Sequence, residues 1–193
     1  EAAVRETVTV NTCGYSLEDG CDSVSFWQRK KIVGVSGWHI SDESFHSEPS
    51  SWKCGSFSYQ PYPNMMDTAL ESPPLCLGEN SSLTFWHRIS AEAGTSYPYW
   101  AEDAGVVEIS TDGGNSWAIL SPLSGYPCRA SSSNTIFLDP YQKCYSGESG
   151  WSFQEFDLSG FQGPVKLRFH FASNEQYGYG GWYIDDIQIN TEV

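Results

Sequence analysis

Chemistry is most concentrated near the C-terminus, where two aspartates adjoin in Gly180-Gly181-Trp182-Tyr183-Ile184-Asp185-Asp186-Ile187-Gln188-Ile189. Adjacent residues of a strand face opposite ways, so one of Asp185 and Asp186 is expected to point towards the interior of a sheet protein or its rim. An ionised carboxylate there needs a cation or several N–H donors. Calcium, with its preference for oxygen ligands, is the cofactor that would satisfy it; backbone amides from a nearby loop would do so equally. Glu18, Asp19, Asp42, Glu43, Asp67 and Glu71 are further carboxylates available to such a site, and they form no EF-hand loop. His39 and His46 flank Asp42 and Glu43, a spacing that matches no standard metal pattern.

Ser110-Thr-Asp-Gly-Gly-Asn-Ser-Trp117 has the S-x-D-x-G-x-[ST]-W form of an Asp box. Its Asp accepts N–H bonds within the turn and its glycines permit positive φ, so the expected role is a self-stabilised hairpin. The loop-like runs Tyr97-Pro98-Tyr99-Trp100 and Tyr177-Gly178-Tyr179 offer flat rings. Such rings stack on sugars or anchor a protein partner, and they also cap the open ends of sandwiches. Tyr99, Trp100, Tyr177 and Tyr179 are the expected ligand contacts. There is no G-x-S-x-G elbow, H-E-x-x-H, P-loop or G-x-G-x-x-G, so the chain is expected not to be an enzyme.

The elements that must position these residues read as strands. Leu83, Phe85, His87 and Ile89 share one side of an alternating run, and Val165, Leu167, Phe169 and Phe171 share one side of another, with Lys166, Arg168 and His170 facing out. Turn signals separate the runs at Asp112-Gly113-Gly114-Asn115, Ser159-Gly160 and Gly178 to Gly181. The 193 residues, rich in aromatics, Gly and Pro, suit one large all-β domain. The fold class is therefore an antiparallel two-sheet sandwich, or jelly roll, spanning 1–193 with a long loop insertion at 128–150.

A formal charge of −14 repels phosphate backbones and anionic bilayers, which excludes nucleic-acid partners. No run approaches a membrane helix. Six cysteines point to an oxidising compartment, hence a secreted or cell-surface protein. They permit 15 connectivities; nearest neighbours in sequence, Cys13–Cys21, Cys54–Cys76 and Cys128–Cys144, are the expected pairs. The opening Glu1-Ala-Ala-Val-Arg is no signal peptide, so the chain is expected to be part of a longer one.

Taken in order, Leu83-Thr-Phe-Trp-His87, Gly105 to Trp117, Phe156-Asp-Leu-Ser-Gly160, Val165-Lys-Leu-Arg-Phe169 and Gly181-Trp-Tyr-Ile-Asp-Asp-Ile187 resemble the jelly-roll domains attached to immune inhibitor A-type metallopeptidases. Upstream, Gly37-Trp-His-Ile40, Ser51-Trp-Lys-Cys-Gly55 and Leu70 to Leu75 extend the likeness over about residues 37–189. More loosely, Cys76 to Trp86 and the Tyr183-to-Ile187 ending are similar to MAM domains. Both resemblances imply a structural cation held by the acidic pair of the last strand, here Asp185 and Asp186, with Asp67 added. They also imply an accessory role: an extracellular module binding a glycan or protein, or supporting a neighbouring domain. A polysaccharide-degrading jelly-roll enzyme and a structural spacer are the alternatives.

Overall fold

The computed structural model describes residues 17–19, 26–94, 100–134 and 136–191. The chain is built from strands β1 (Leu17–Asp19), β2 (Gln28–Val33), β3 (Trp38–Ser41), β4 (Ser51–Cys54), β5 (Asp67–Glu71), β6 (Leu75–Leu77), β7 (Ser82–Ser90), β8 (Trp100–Ala101), β9 (Ala104–Ser110), β10 (Ala118–Ile119), β11 (Cys128–Ala130), β12 (Lys143–Cys144), β13 (Ser152–Asp157), β14 (Gly163–Ala172) and β15 (Gly181–Asn190). One sheet runs β13-β7-β15-β4-β3, with β1 also on β15. The other runs β10-β9-β14-β5-β2, with β6 also on β14. Their pairings are antiparallel, as the sandwich reading requires.

Alternation sets which side chains close the sandwich. Leu83, Phe85, His87 and Ile89 of β7 are buried, as are Val165, Leu167, Phe169 and Phe171 of β14. Trp38 and Trp182 join them, with Phe85 and Phe169 ring centroids 5.0 Å apart and Phe169 and Trp182 5.8 Å apart. The Trp182 ring lies so close to the β9 backbone that a Cβ on Gly105 would sit 2.5 Å from it. Bulk on one sheet is thus matched by its absence on the other.

The 128–150 insertion is more than a loop. Strands β11 and β12 pair with each other, and β8 joins β11 in parallel, to make a third small sheet. Ala101, Ala104, Val106, Cys128, Ala130, Leu138 and Cys144 form a second core there.

The cysteines need correction. Cys54, Cys128 and Cys144 carry free thiols, so neither the Cys54–Cys76 nor the Cys128–Cys144 bond is formed. The first pair is misplaced: Cys54 is wholly buried in the main core, whereas Cys76 lies on the other sheet between inward Leu75 and Leu77. Cys13 and Cys21 lie outside the described residues. Cys128 and Cys144, however, are direct antiparallel partners, and such partners stand about 4.5–5.5 Å apart at Cα, within disulfide reach. Under oxidising conditions this pair is expected to close and add about 3 kcal/mol. Non-reducing peptide mapping checks it; two thiols that stay alkylatable after oxidation contradict it.

Candidate functional site

Asp185 and Asp186 sit where strict alternation fails. Asp185 is opposite Trp86, and the register then shifts before Gln188 meets Thr84, which marks a bulge. Asp186 adopts φ +49 in that bulge. Ile184 and Ile187 both point inward, so neither aspartate enters the core. Both lie beneath residues 42–50, a strap that crosses the outer face of the sheet between β3 and β4. Asp185 is wholly buried, and its Oδ2 accepts N–H bonds from His46 (2.7 Å) and Ser47 (2.9 Å). Its Oδ1 accepts the Asp186 N–H at 2.8 Å. Burial pushes the Asp185 carboxyl above its usual range, despite the Ser47 and His46 donors. Asp186 Oδ2 holds His46 Nδ1 at 2.7 Å and the Ser47 hydroxyl at 2.9 Å, while the His46 ring stacks on Trp86 at 3.8 Å.

The expected cation trio does not come together. Asp67 belongs to β5 of the opposite sheet, and its Oδ1 is 2.6 Å from His170 Nε2. N–H groups aimed at Asp185 are donors, which repel a cation. Among the described residues no three His, Cys, Asp or Glu side chains gather around a metal position. The residues present therefore do not fit calcium at Asp185, and the backbone-amide alternative describes what surrounds it.

His170 shows what outward alternation conceals. Its Nδ1 meets Glu108 at 2.8 Å, Arg168 Nε pairs with the same carboxylate at 2.5 Å, and Phe137 from the insertion stacks on the ring at 3.7 Å. Burial pulls the imidazole pKa down, but Asp67 and Glu108 outweigh it and the net shift is upward from 6.5. A raised histidine stabilises the fold fully below 6.5, and this contribution is lost as pH climbs through the folded-state value. The melting temperature is expected to fall from pH 6.5 upward, and the fall to vanish in His170→Gln. A His170 ring proton titrating below 6.5 contradicts this.

The Asp box is the self-stabilised turn its sequence implies. Asp112 Oδ1 accepts the Asn115 and Ser116 N–H groups at 3.0 and 2.9 Å, and Oδ2 accepts the Ser116 hydroxyl at 2.6 Å. These bonds hold its carboxyl well below the usual range. Arg168 covers the Trp117 ring at 4.2 Å.

A cavity of about 710 Å³ lies at one end of the sandwich. Its walls are mostly carbon, from Ile89, Ala91, Ala93, Pro127, Tyr145 and Tyr179, with Gln154 and His87 among them. Gln154 Oε1 is occupied by the Tyr145 and Ser124 hydroxyls at 2.9 and 3.0 Å. His87 Nδ1 accepts the Trp182 indole N–H at 3.1 Å, and burial lowers its pKa to about 3, so the ring is neutral. Ser146, another wall residue, donates to the backbone oxygen of Asp103 at 2.5 Å. Burial pushes Asp103 up to about 6, although Tyr62 and Asn174 both donate to it. No sequence signal marked Asp103.

Of the expected ligand contacts, Tyr179 lines the cavity. Tyr177 is exposed elsewhere, and Trp100 packs edge-on against Tyr141 at 5.7 Å. Tyr99 lies outside the described residues. His39 and His46 do not converge: His39 borders a recess with Asp42 and Glu43, and His46 belongs to the strap.

No family model matches the chain, and no curated protein matches it significantly. Among solved structures, the K1 cleaved adhesin domain of Lys-gingipain from Porphyromonas gingivalis is similar with a TM-score of 0.54 at 17% identity, over 92% of this chain and 99% of that one. The K2 cleaved adhesin domain of Lys-gingipain gives 0.54 at 13%, over 91% and 99%. Identities this low show the fold alone: an all-β sandwich. They do not show the immune inhibitor A-type or MAM resemblance. Among the described residues no helix is long and apolar enough to cross a membrane.

Proposed function

We propose that this chain is a non-catalytic binding module of a secreted or cell-surface protein, and that it grips a partner protein by an apolar anchor side chain. The observation that carries this reading is the end cavity of about 710 Å³ with its carbon walls. Concave, largely apolar sites with a few fixed polar groups are the usual binding sites of folded domains, and a buried apolar anchor supplies much of a partner's affinity. Two of its polar atoms are already committed, Gln154 Oε1 to Tyr145 and Ser124 and His87 Nδ1 to Trp182, and the mostly apolar walls favour selection by shape and apolarity.

The chemistry of the walls supports a binding role over catalysis. Among the described lining residues Glu148 is the one carboxylate, whereas glycoside hydrolysis takes two. Burial raises the Cys128 thiol, which disfavours the thiolate a nucleophile needs. The fold shared with two cleaved adhesin domains accords with an adhesive role. Calcium has no part in the reading: melting temperatures in calcium and in EGTA are expected to agree, and a calcium-dependent rise abolished by Asp186→Asn would restore the cation.

The test is selection of a displayed peptide library against the wild type and against Ala93→Trp, whose indole would fill the cavity. Binders with a large apolar residue are expected to lose at least about tenfold affinity on the variant. Binders indifferent to Ala93→Trp, or a selection dominated by polar sequences, contradict the proposal.

A further inference from the structure

A second recess of about 320 Å³ opens on the outer face of the β3–β4 sheet, bordered by His39, Asp42, Glu43, Phe57, Ser58 and Tyr59. His39 is 5% exposed. Its Nδ1 lies 3.1 Å from the Gly37 carbonyl oxygen. A carbonyl only accepts, so Nδ1 carries the proton and Nε2 bears the lone pair. Among the described residues that buried Nε2 has no hydrogen-bond partner. Buried polar atoms are nearly always satisfied, and an unpaired acceptor calls for a physical reason. Burial lowers the ring pKa against the Gly37 bond, which keeps the acceptor available at neutral pH.

Two independent features converge on the same recess. Ser58 and Tyr59, neither of them glycine, both adopt left-handed backbone at φ +59 and +57. Such strain persists where surroundings impose it, and it clusters at ligand sites. The turn also presents Phe57 and Tyr59 with 69% and 77% of their surface exposed. Phe57 stacks on the His39 ring at 4.0 Å. Nε2 is shut off from water in this structure beside the Phe57 ring, so binding at it requires the Phe57–Tyr59 turn to shift.

We propose that this recess binds a neutral pyranoside, whose hydroxyls donate to His39 Nε2 and to the Asp42 carboxylate while its apolar face lies on Phe57 or Tyr59. Charge selects a neutral ligand over a cation. Lys53 and Arg29 disfavour a further positive charge at His39, against the opposite pull of Glu43. Glu43, the second carboxylate, is already taken by the Lys53 ammonium and the Tyr183 hydroxyl. The recess therefore offers acceptors and aromatic faces, a combination that fits hydroxyl donors on a flat carbon face. It stands apart from the end cavity, so this proposal holds or falls separately from the protein-binding one.

The test is a titration of protein carrying ¹⁵N-histidine with the methyl glycosides of glucose, galactose and mannose and with N-acetylglucosamine, with ethylammonium as the cationic control. At least one pyranoside is expected to move the His39 Nε2 resonance saturably, in the direction of an acceptor gaining a hydrogen bond. Asp42→Asn and Tyr59→Ala, both at exposed positions, are expected to weaken that binding about tenfold each without unfolding the chain. A resonance unmoved by all four sugars overturns the proposal, as does binding that moves only other signals. An equal response to ethylammonium, or full binding by both variants, overturns it too.

Discussion

Asp185→Ala is expected to destabilise the chain by about 3 kcal/mol, because two strap amides and the Asp186 N–H lose their acceptor in a buried site. For a domain of this size that is roughly 9 °C in melting temperature. The strap is also held at Asp186, by the His46–Trp86 stack and by the buried Glu43–Lys53 pair, so it is the His46–Ser47 segment that is released, which should also alter Trp86 fluorescence. Asp185→Asn keeps one acceptor and is expected to lose about half as much. Thermal melts of the two variants check the ranking. Two variants that melt with wild type would mean the strap is anchored elsewhere.

Gly181→Ala is expected to cost more than about 4 kcal/mol and to abolish soluble expression. Gly181 has φ +99, and a Cβ there would lie 2.1 Å from the Cys54 carbonyl oxygen. That oxygen is backbone of the neighbouring β4 strand, so relief requires parting β4 from β15 just where Trp182 enters the core. Gly113 supplies the control. It has φ +78 but nothing within 4 Å of a Cβ, so Gly113→Ala is expected to cost only about 1 kcal/mol of backbone strain. Urea denaturation of the pair separates the two causes; equal losses would mean that strain, and not the clash with β4, governs Gly181.

The sandwich was legible because β7 alternates over its nine residues and β14 alternates in residue type from Val165 to Phe171, and period two leaves little freedom once one face is apolar. The Asp185–Asp186 pair was legible as a place of consequence but not in its geometry. A bulge breaks the period, and nothing in the local run says that Asp186 will turn to positive φ. His170 reads as a surface residue from its strand alone. It is buried because Phe137, thirty-odd positions upstream, closes over it, and such long-range cover leaves no local pattern. The same holds for the Cys54–Cys76 pairing, since proximity in sequence said nothing of the two sheets between which those residues divide. Tyr179 was singled out from its loop chemistry, and it lines the end cavity. Ile89, Ala91 and Ala93 are ordinary apolar residues, and what makes them a cavity wall is the third sheet facing them.

The most direct test of the binding role is a methyl NMR titration of the chain with N-acetyl-phenylalanine amide, a free stand-in for an apolar anchor. The end cavity predicts that the methyl signals of Ile89, Ala91 and Ala93 shift together and saturate. Methyl signals that stay fixed there, with or without shifts elsewhere on the chain, would contradict it.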